Sequence, residues 1–516
     1  MLSWLDGKDV NFMKIILAGY NLDFETIRDF QKLRPDAQDL TPETISAAYA
    51  RISRSPKRVD ELRAVARQEV ERARQSNKNI VFEMGHSSVA EHAVFNIDVL
   101  GISRLLVEEI EKFRLCSYTE KSQRYVKLKD DFVIPEEIRG TPMEGPFVDI
   151  INKQNGLYHE LFEKLKPHIF EKQKDLAADP ANHSLLAGWA KEDARYAISL
   201  ATETQLGMTI NARILELMLR RLAAHPLAEA KECSRKLYEA TKDTAPSLIR
   251  YTEATEYDLL TRLQLRDEVS ALMRQKKLEA PTAPAELKGE YVSLIYATPG
   301  GDDRIMASLI HSSSDLPMSR CLQVVSFMDR REKESLMKTA LKHIKSYDPV
   351  LREFENAELH FELLISASCF AQMKRHRMAT ITSQNYDPTL GATVPPAVSE
   401  IGMHDAFMEI VTRSEDVYAR IKGLSPLVSG YILTNAHRRR VSMKINAREL
   451  YHIARLRADT HAQWDIRKTV EEMVKLGKKS MPLTLMLATG KDGFASLYNR
   501  VFASEPATGN TPSNHP

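Results

Sequence analysis

A chain of 516 residues with 43% hydrophobic and 28% charged positions can bury two or three ordinary cores, which excludes a disordered or low-complexity protein. A net charge of +2 argues against a dedicated duplex-DNA binder, and the apolar runs are far too short to span a bilayer. Four scattered cysteines, Cys116, Cys233, Cys321 and Cys369, form no CxxC pair, so a reducing, cytoplasmic setting without structural zinc is expected.

Residues 1–12 read as an N-terminal extension, because Lys14–Ala18 within MKIILAGY is the first strand-like piece. Ile45–Arg51 and Arg58–Arg74 carry apolar residues at three- and four-residue spacing and predict helices. The segment GHSSVAEH, Gly85–His92, then gathers His86, Ser88, Glu91 and His92 on a turn leading into the strand-like Ala93–Leu100. Such bunching serves as capping and loop satisfaction, and HxxxxxH with one glutamate lacks a third close ligand, so no metal site is expected.

In KFRLCSYTEKSQRY, Lys112–Tyr125, the residues Glu120, Ser122 and Arg124 alternate. An extended backbone would put an acceptor, a hydroxyl and a guanidinium on one face. That face is either solvated or suited to a ligand with both an imide edge and a phosphate. Val126–Lys127 reads as a further strand, and Ala187–Ala201, Ile210–Ala223 and Ala230–Thr241 read as helices. Gln275–Gly289, charged and proline-bearing without an apolar face, is linker-like. A linker over 274–289 separates a domain of residues 13–273 from one of residues 290–503.

The second half opens on the strand-like Tyr291–Tyr296 and Leu359–Ile365. QMKRHRMATITSQNY, Gln372–Tyr386, repeats the Lys112 block with a complementary defect. It has the head Arg375–His376–Arg377 that the first copy lacks, but its SQNY ending sits early, with Asn385 where arginine is expected. On a helix Gln372 and Arg375 share a face and Arg377 points elsewhere; alone, KRHR reads equally as a surface basic run. HRRR, His437–Arg440, is either the solvated start of a helix or an anion site. In INARELYHIARLRADTHAQWDIR, Ile445–Arg467, Asn446 and Arg457 lie nearly in line on a helix expected over Arg448–Leu476. They mark a long bound ligand, or merely the charges of a helix that buries Leu450, Leu456 and Trp464. Residues 504–516 form a polar, proline-bearing tail expected to be disordered.

The landmarks recur in order. The Lys112 block corresponds to the Arg375 block, and Asn211–Ala212–Arg213 to Asn446–Ala447–Arg448. Together they resemble the flavin-dependent thymidylate synthases, the ThyX family. The first half carries the resemblance through His86, Glu91–His92, Ser103–Arg104, Ser122-x-Arg124-Tyr125 and Asp193–Arg213, and the second through Ser366–Arg377 and the NAR helix. Periodicity and resemblance agree on an α+β fold of two tandem domains, each helix-rich with a small sheet.

The resemblance implies reductive methylation of dUMP to dTMP with FAD as cofactor and NADPH and methylenetetrahydrofolate as co-substrates, without a side-chain nucleophile. It also implies a homodimer imitating the family's tetramer. Carried over by position, it assigns dUMP to Glu120, Ser122, Gln123, Arg124 and Arg195 on one wall and to Gln372, Arg375 and Arg457 on the other. It assigns FAD to Ser53, His86, Ser88, Glu91, Asn211 and Arg213, and to Arg375, His376, Arg377, Asn446, Arg448 and His452. In the second half the loop corresponding to Gly85–His92 is reduced to YDPVLREFE, Tyr347–Glu355.

The losses are complementary. Glu109, Lys112 and Leu222 stand in the first half where Gln372, Arg375 and Arg457 stand in the second, and Gly430 falls where Arg195 maps. One composite site with its two walls divided between the halves is therefore expected. Two other readings stand beside it: a nucleotide- or flavin-binding protein without turnover, and a flavin-dependent methyltransferase acting on another pyrimidine nucleotide.

Overall fold

The structure, a computed structural model, describes residues 13–23, 27, 41–52, 57, 59–78, 87–124, 126, 128, 130–278, 291–426 and 428–503. The expected extension, most of the expected linker and the expected tail lie outside these residues. Eight strands are described: β1 (Lys14–Tyr20), β2 (Val94–Ser103), β3 (Ser117–Glu120), β4 (Glu203–Asn211), β5 (Val292–Ala297), β6 (Glu358–Ser366), β7 (Thr380–Ser383) and β8 (Arg438–Asn446). They form two antiparallel four-stranded sheets of identical connectivity, β1-β2-β4-β3 and β5-β6-β8-β7. Helices, several of them long, make up most of the rest, so the fold is α+β.

The duplication extends to local irregularities. The register of β1 on β2 slips between Leu17 and Gly19, and that of β5 on β6 slips between Leu294 and Tyr296. Strand β2 alternates as a half-buried strand should: Phe95, Ile97 and Val99 are buried while Asn96 and Asp98 face outward. Its further slip at Gly101, a left-handed position with φ of 69°, has no counterpart in β6. The corresponding strands β2 and β6 each end in a serine that caps the next helix and donates to a carboxylate. Ser103 Oγ accepts from Leu106 N at 3.0 Å and donates to Glu229 at 2.7 Å; Ser366 Oγ accepts from Cys369 N at 2.9 Å and donates to Asp465 at 2.6 Å.

Several sequence-based expectations are corrected. Ile210 and Asn211 end β4, and the helix starts at Ala212 because Asn211 caps it, accepting from Ile214 N at 3.0 Å. The helix expected over Arg448–Leu476 is two, Ala447–Arg457 and Trp464–Ser480, the second capped by Gln463. The helix expected through Ala201 ends at Ala194, and that over Arg58–Arg74 breaks at Glu69. HRRR does not start a helix: Arg438–Arg440 open β8. Val126 is not in a strand, and Lys127 lies outside the described residues. The helix Glu256–Lys276 reaches into the expected linker before Lys277 ends it in a left-handed conformation.

The chain divides into two compact units, Met1–Ala280 with Val394–Asn435, and Pro281–Thr393 with Ala436–Pro516. The first unit thus takes in a segment that by sequence position belongs to the second half. Gln154 on the helix Glu144–Lys172 explains its attachment, because Nε2 donates both to Ser414 Oγ at 2.8 Å and to Ile432 O at 2.9 Å. Leu200 N and Ala201 N donate to Leu433 O and Tyr431 O, and Tyr431 Oη donates to half-buried Glu229 at 2.6 Å. The first two bonds satisfy backbone groups of a buried segment, and the third adds a donor to the Glu229 carboxylate beside Ser103. The second unit has its own core, built from Leu359, Phe361 and Leu363 of β6, Val441, Met443 and Ile445 of β8, and Phe354, Leu450 and Ile466.

Candidate active site

In the first unit the dUMP-assigned residues cluster around a set of buried guanidiniums. Only Glu120 lies in β3. Beyond it the chain turns, with Arg124 N donating to Ser122 Oγ at 3.2 Å, so the expected single extended face over Glu120, Ser122 and Arg124 does not form. Glu120 is instead held by the Arg104 guanidinium and by Thr204 Oγ1 at 3.4 Å. Arg124 Nε donates to Glu192, one helical turn before Arg195.

Arg195 is itself buried, 6% exposed, and its Nε and Nη2 have no hydrogen-bond partner among the described residues. Beside it Gln123, 8% exposed, has an Nε2 in the same condition. Burial pulls the Arg195 guanidinium below its usual basicity; Glu192 opposes the shift, while the like charges of Arg124 and Arg104 add to it. Burial acts the same way on Arg104, but Glu120 and Glu111 outweigh it and raise that group's pKa. A buried cation with donors unpaired costs free energy unless an acceptor-rich anion completes it.

The flavin-assigned residues of this unit sit along the loop before β2 and the start of the helix Ala212–Ala223. Arg213 Nη1 pairs with Glu91 Oε1 at 2.5 Å, Asn211 is occupied in capping, and Ser88 is exposed in the one 3-10 turn of Ser87–His92. Ser53 and His86 lie outside the described residues.

In the second unit the helix Ala367–Met373 stops before the RHR triplet, so Arg375 does not share a helix face with Gln372 as the spacing predicts. Gln372 is buried. Its Nε2 reaches Gln463 Oε1 at 3.4 Å and Ser368 O at 3.5 Å, and its Oε1 has no hydrogen-bond partner among the described residues. Arg375 and Arg377 are exposed, while His376 between them is buried. His376 Nε2 accepts from Arg457 Nε at 3.2 Å, and Nδ1 lies 3.7 Å from Glu449 Oε1. Burial first, then Arg457 and His452, push the His376 pKa down to about 3, and burial lifts Glu449 to about 7 against the pull of Arg448.

Asn446 caps the helix that carries Arg448, His452 and Arg457. Arg448 pairs with Glu355 at 2.9 Å and donates to Val350 O at 2.9 Å, the counterpart of Arg213 with Glu91. The loop between Tyr347 and Glu355 therefore keeps the glutamate that the NAR arginine needs. A cavity of about 240 Å³ opens here, with Lys345, Arg448, His452 and Arg455 around it and Met378, Tyr451 and Phe494 among its apolar lining. Cationic groups over an apolar lining fit a ligand with an anionic part and a flat apolar part, as a flavin nucleotide has.

The positions lost in each copy have other work. In the first, Lys112 Nζ pairs with Glu109 at 2.6 Å and Leu222 is buried. In the second, the altered SQNY segment holds Arg439, whose Nε donates to Gln384 O at 2.8 Å. The Arg439 guanidinium is stacked 4.2 Å from the Tyr386 ring centroid and 4.6 Å from that of Phe370. Sequence reasoning missed Glu449, Glu192 and Asn435, and named Arg439 only within the HRRR run, without a structural role. Glu192 was findable three residues before Arg195 on a helix, and Glu449 in the turn after NAR; nothing local marks Asn435.

A sequence model described as thymidylate synthase complementing protein, Thy1, matches residues 37–247 and again residues 293–483. A flavin-dependent thymidylate synthase of Clostridium tetani is 30% identical over 217 residues, 41% of this chain and 82% of the relative. A UPF0159 protein of Chlamydia muridarum is 22% identical over 427 residues, 79% of each chain. A crystal structure of the UMP/dUMP methylase PolB from Streptomyces cacaoi, bound with 5-Br dUMP, aligns with 39% of this chain and 95% of its own at 17% identity and a TM-score of 0.32. Matched twice over most of its length by one family model, the chain belongs to the thymidylate synthase complementing protein family, with two copies of the family domain in tandem.

Proposed function

We propose that the protein is a flavin-dependent thymidylate synthase that methylates dUMP with methylenetetrahydrofolate and NADPH. In this reading it acts in the cytoplasm as a homodimer, each working site drawing its two walls from two homologous halves of the chain. The observation that carries the reading is the set of buried donors at Arg195 and Gln123 without acceptors among the described residues. Their chemistry asks for an oxyanion such as a nucleotide phosphate. Membership of the family and the activity named for the Clostridium relative agree with it.

The first unit's wall would hold the phosphate through Arg195 and Arg124, with Glu192 keeping Arg124 in place. The second unit's wall would meet the base. Gln372 Oε1, buried and without a donor, suits the imide N–H of a uracil ring, and Arg457, held against His376, supplies a second cation. Arg448, His452 and the exposed Arg375 and Arg377 would hold the flavin, which when bound supplies the redox equivalents of the transfer. No side chain acts as a nucleophile; the residues position two planar partners and exclude water.

The divided losses support two complementary walls rather than two decayed sites. Lys112–Glu109 and Tyr386–Arg439 convert the unused positions into structural contacts. The test is dUMP-dependent dTMP formation by wild type, Arg195→Ala and Arg457→Ala, alongside the flavin absorption band of the purified protein. Both variants should lose turnover; near-wild-type activity in either one, or a protein that takes up no flavin on reconstitution, overturns the reading.

A further inference from the structure

Asn435 belongs by sequence to the second half but lies in the first unit, and its carboxamide bonds to the backbone carbonyl of Arg195 and to the side chain of Gln123, the two residues that carry unpaired donors. Nδ2 donates to Arg195 O at 3.0 Å and to Gln123 Oε1 at 3.3 Å, and the Asn435 backbone is tied by its N–H to Ile198 O at 2.9 Å. These bonds fix which way both amides point. A backbone carbonyl can only accept, so the Asn435 atom facing Arg195 O must be the NH₂ group. The Gln123 atom facing that same NH₂ must then be its oxygen, which turns Gln123 Nε2 away from Asn435. The nitrogen so presented is buried and has no acceptor among the described residues, like Arg195 Nε and Nη2.

We infer that Asn435 is a positioning residue that sets the Gln123 carboxamide so that Nε2 joins the Arg195 guanidinium as a further donor to one bound oxyanion. The inference rests on the reading of this cluster as the phosphate end of the nucleotide site. All the offered atoms are donors, so a phosphate fits where a neutral carbonyl group would leave donors over. The position corresponding to Asn435 in the first half is Leu200, which cannot make either bond, so the device exists only beside Arg195.

Calorimetric titration of the full chain with dUMP and, separately, inorganic phosphate tests this in wild type, Gln123→Glu, Asn435→Asp, Gln123→Ala and the Gln123→Ala/Asn435→Asp double variant. Aspartate offers only acceptors, so Asn435→Asp should turn the Gln123 amide round and aim its oxygen at the ligand. Gln123→Glu replaces the donor by an acceptor while leaving Asn435 untouched, which guards against a folding defect at position 435. Each should weaken dUMP binding by about 10-fold or more, the worth of a hydrogen bond to a charged group. On the Gln123→Ala background, Asn435→Asp should add almost nothing, because its effect passes through Gln123. Equal cost on both backgrounds, or wild-type affinity in Gln123→Glu, overturns the inference. If wild type binds phosphate in a Gln123-dependent way but not dUMP, the oxyanion assignment stands and the nucleotide reading falls. If wild type binds neither, the inference falls too.

Discussion

Arg457 Nε donates to His376 Nε2 at 3.2 Å, and this single bond fixes the tautomer of a buried histidine. An arginine N–H cannot accept, so Nε2 carries the lone pair and the ring proton sits on Nδ1, facing Glu449 at 3.7 Å. The RHR triplet therefore works by division: its exposed arginines face outward, and its histidine holds a third arginine from another helix.

The pH dependence of stability follows from the two shifted groups. His376, lowered to about 3, favours the neutral form, so its contribution is present above its ordinary pKa and lost as pH falls through the acid range towards 3. Glu449, raised to about 7, contributes below its ordinary pKa and loses that contribution as pH rises through about 7. Glu449→Gln should flatten the fall in denaturation midpoint of the wild type between slightly acid and slightly alkaline pH. An unchanged pH profile in the variant would show that Glu449 titrates elsewhere.

Arg195 is predicted to cost the ligand-free protein stability. Arg195→Met should raise stability in urea denaturation by about 1 kcal/mol, because it removes a buried charge whose Nε and Nη2 lack acceptors among the described residues. The same variant should lose dUMP binding in calorimetry. A destabilised Arg195→Met would mean that the guanidinium already has adequate partners in the free protein.

Arg439 should behave in the opposite way. Stacked between Tyr386 and Phe370 and bonded to Gln384 O, it is structural, and Arg439→Leu should cost about 2 kcal/mol in chemical denaturation. The KM for dUMP should not move, and a large rise in KM would place Arg439 in the site.

The pair Arg213–Glu91 is largely exposed, with side chains 46% and 37% accessible, so Glu91→Gln should change stability by less than about 1 kcal/mol. Retention of flavin through gel filtration, followed by absorbance, should nonetheless fall. Full retention would remove Glu91 from the flavin residues.

Much of this was legible in the chain. The order of SxRY, RHR and NAR motifs in two halves fixed the family resemblance, and the alternation of Phe95, Ile97 and Val99 fixed a strand. The capping asparagines Asn211 and Asn446 stand in the NAR motifs themselves, although β4 and β8 before them went unrecognised. TQLGMTIN and RRRVSMKIN run straight into amphipathic helices, and β3 and β7 have four residues each, too few to show a period.

The sequence by itself determined which chemical groups the protein carries and in which copy each motif stands intact, because those are matters of residue type and order. Only the tertiary structure decided that Val394–Asn435 packs into the first unit, that Arg439 is buried in an aromatic stack, and that Asn435 orients Gln123. Those outcomes depend on where groups far apart in the chain find one another, as Asn435 finds Arg195 O across 240 residues, and no local period records such a pairing.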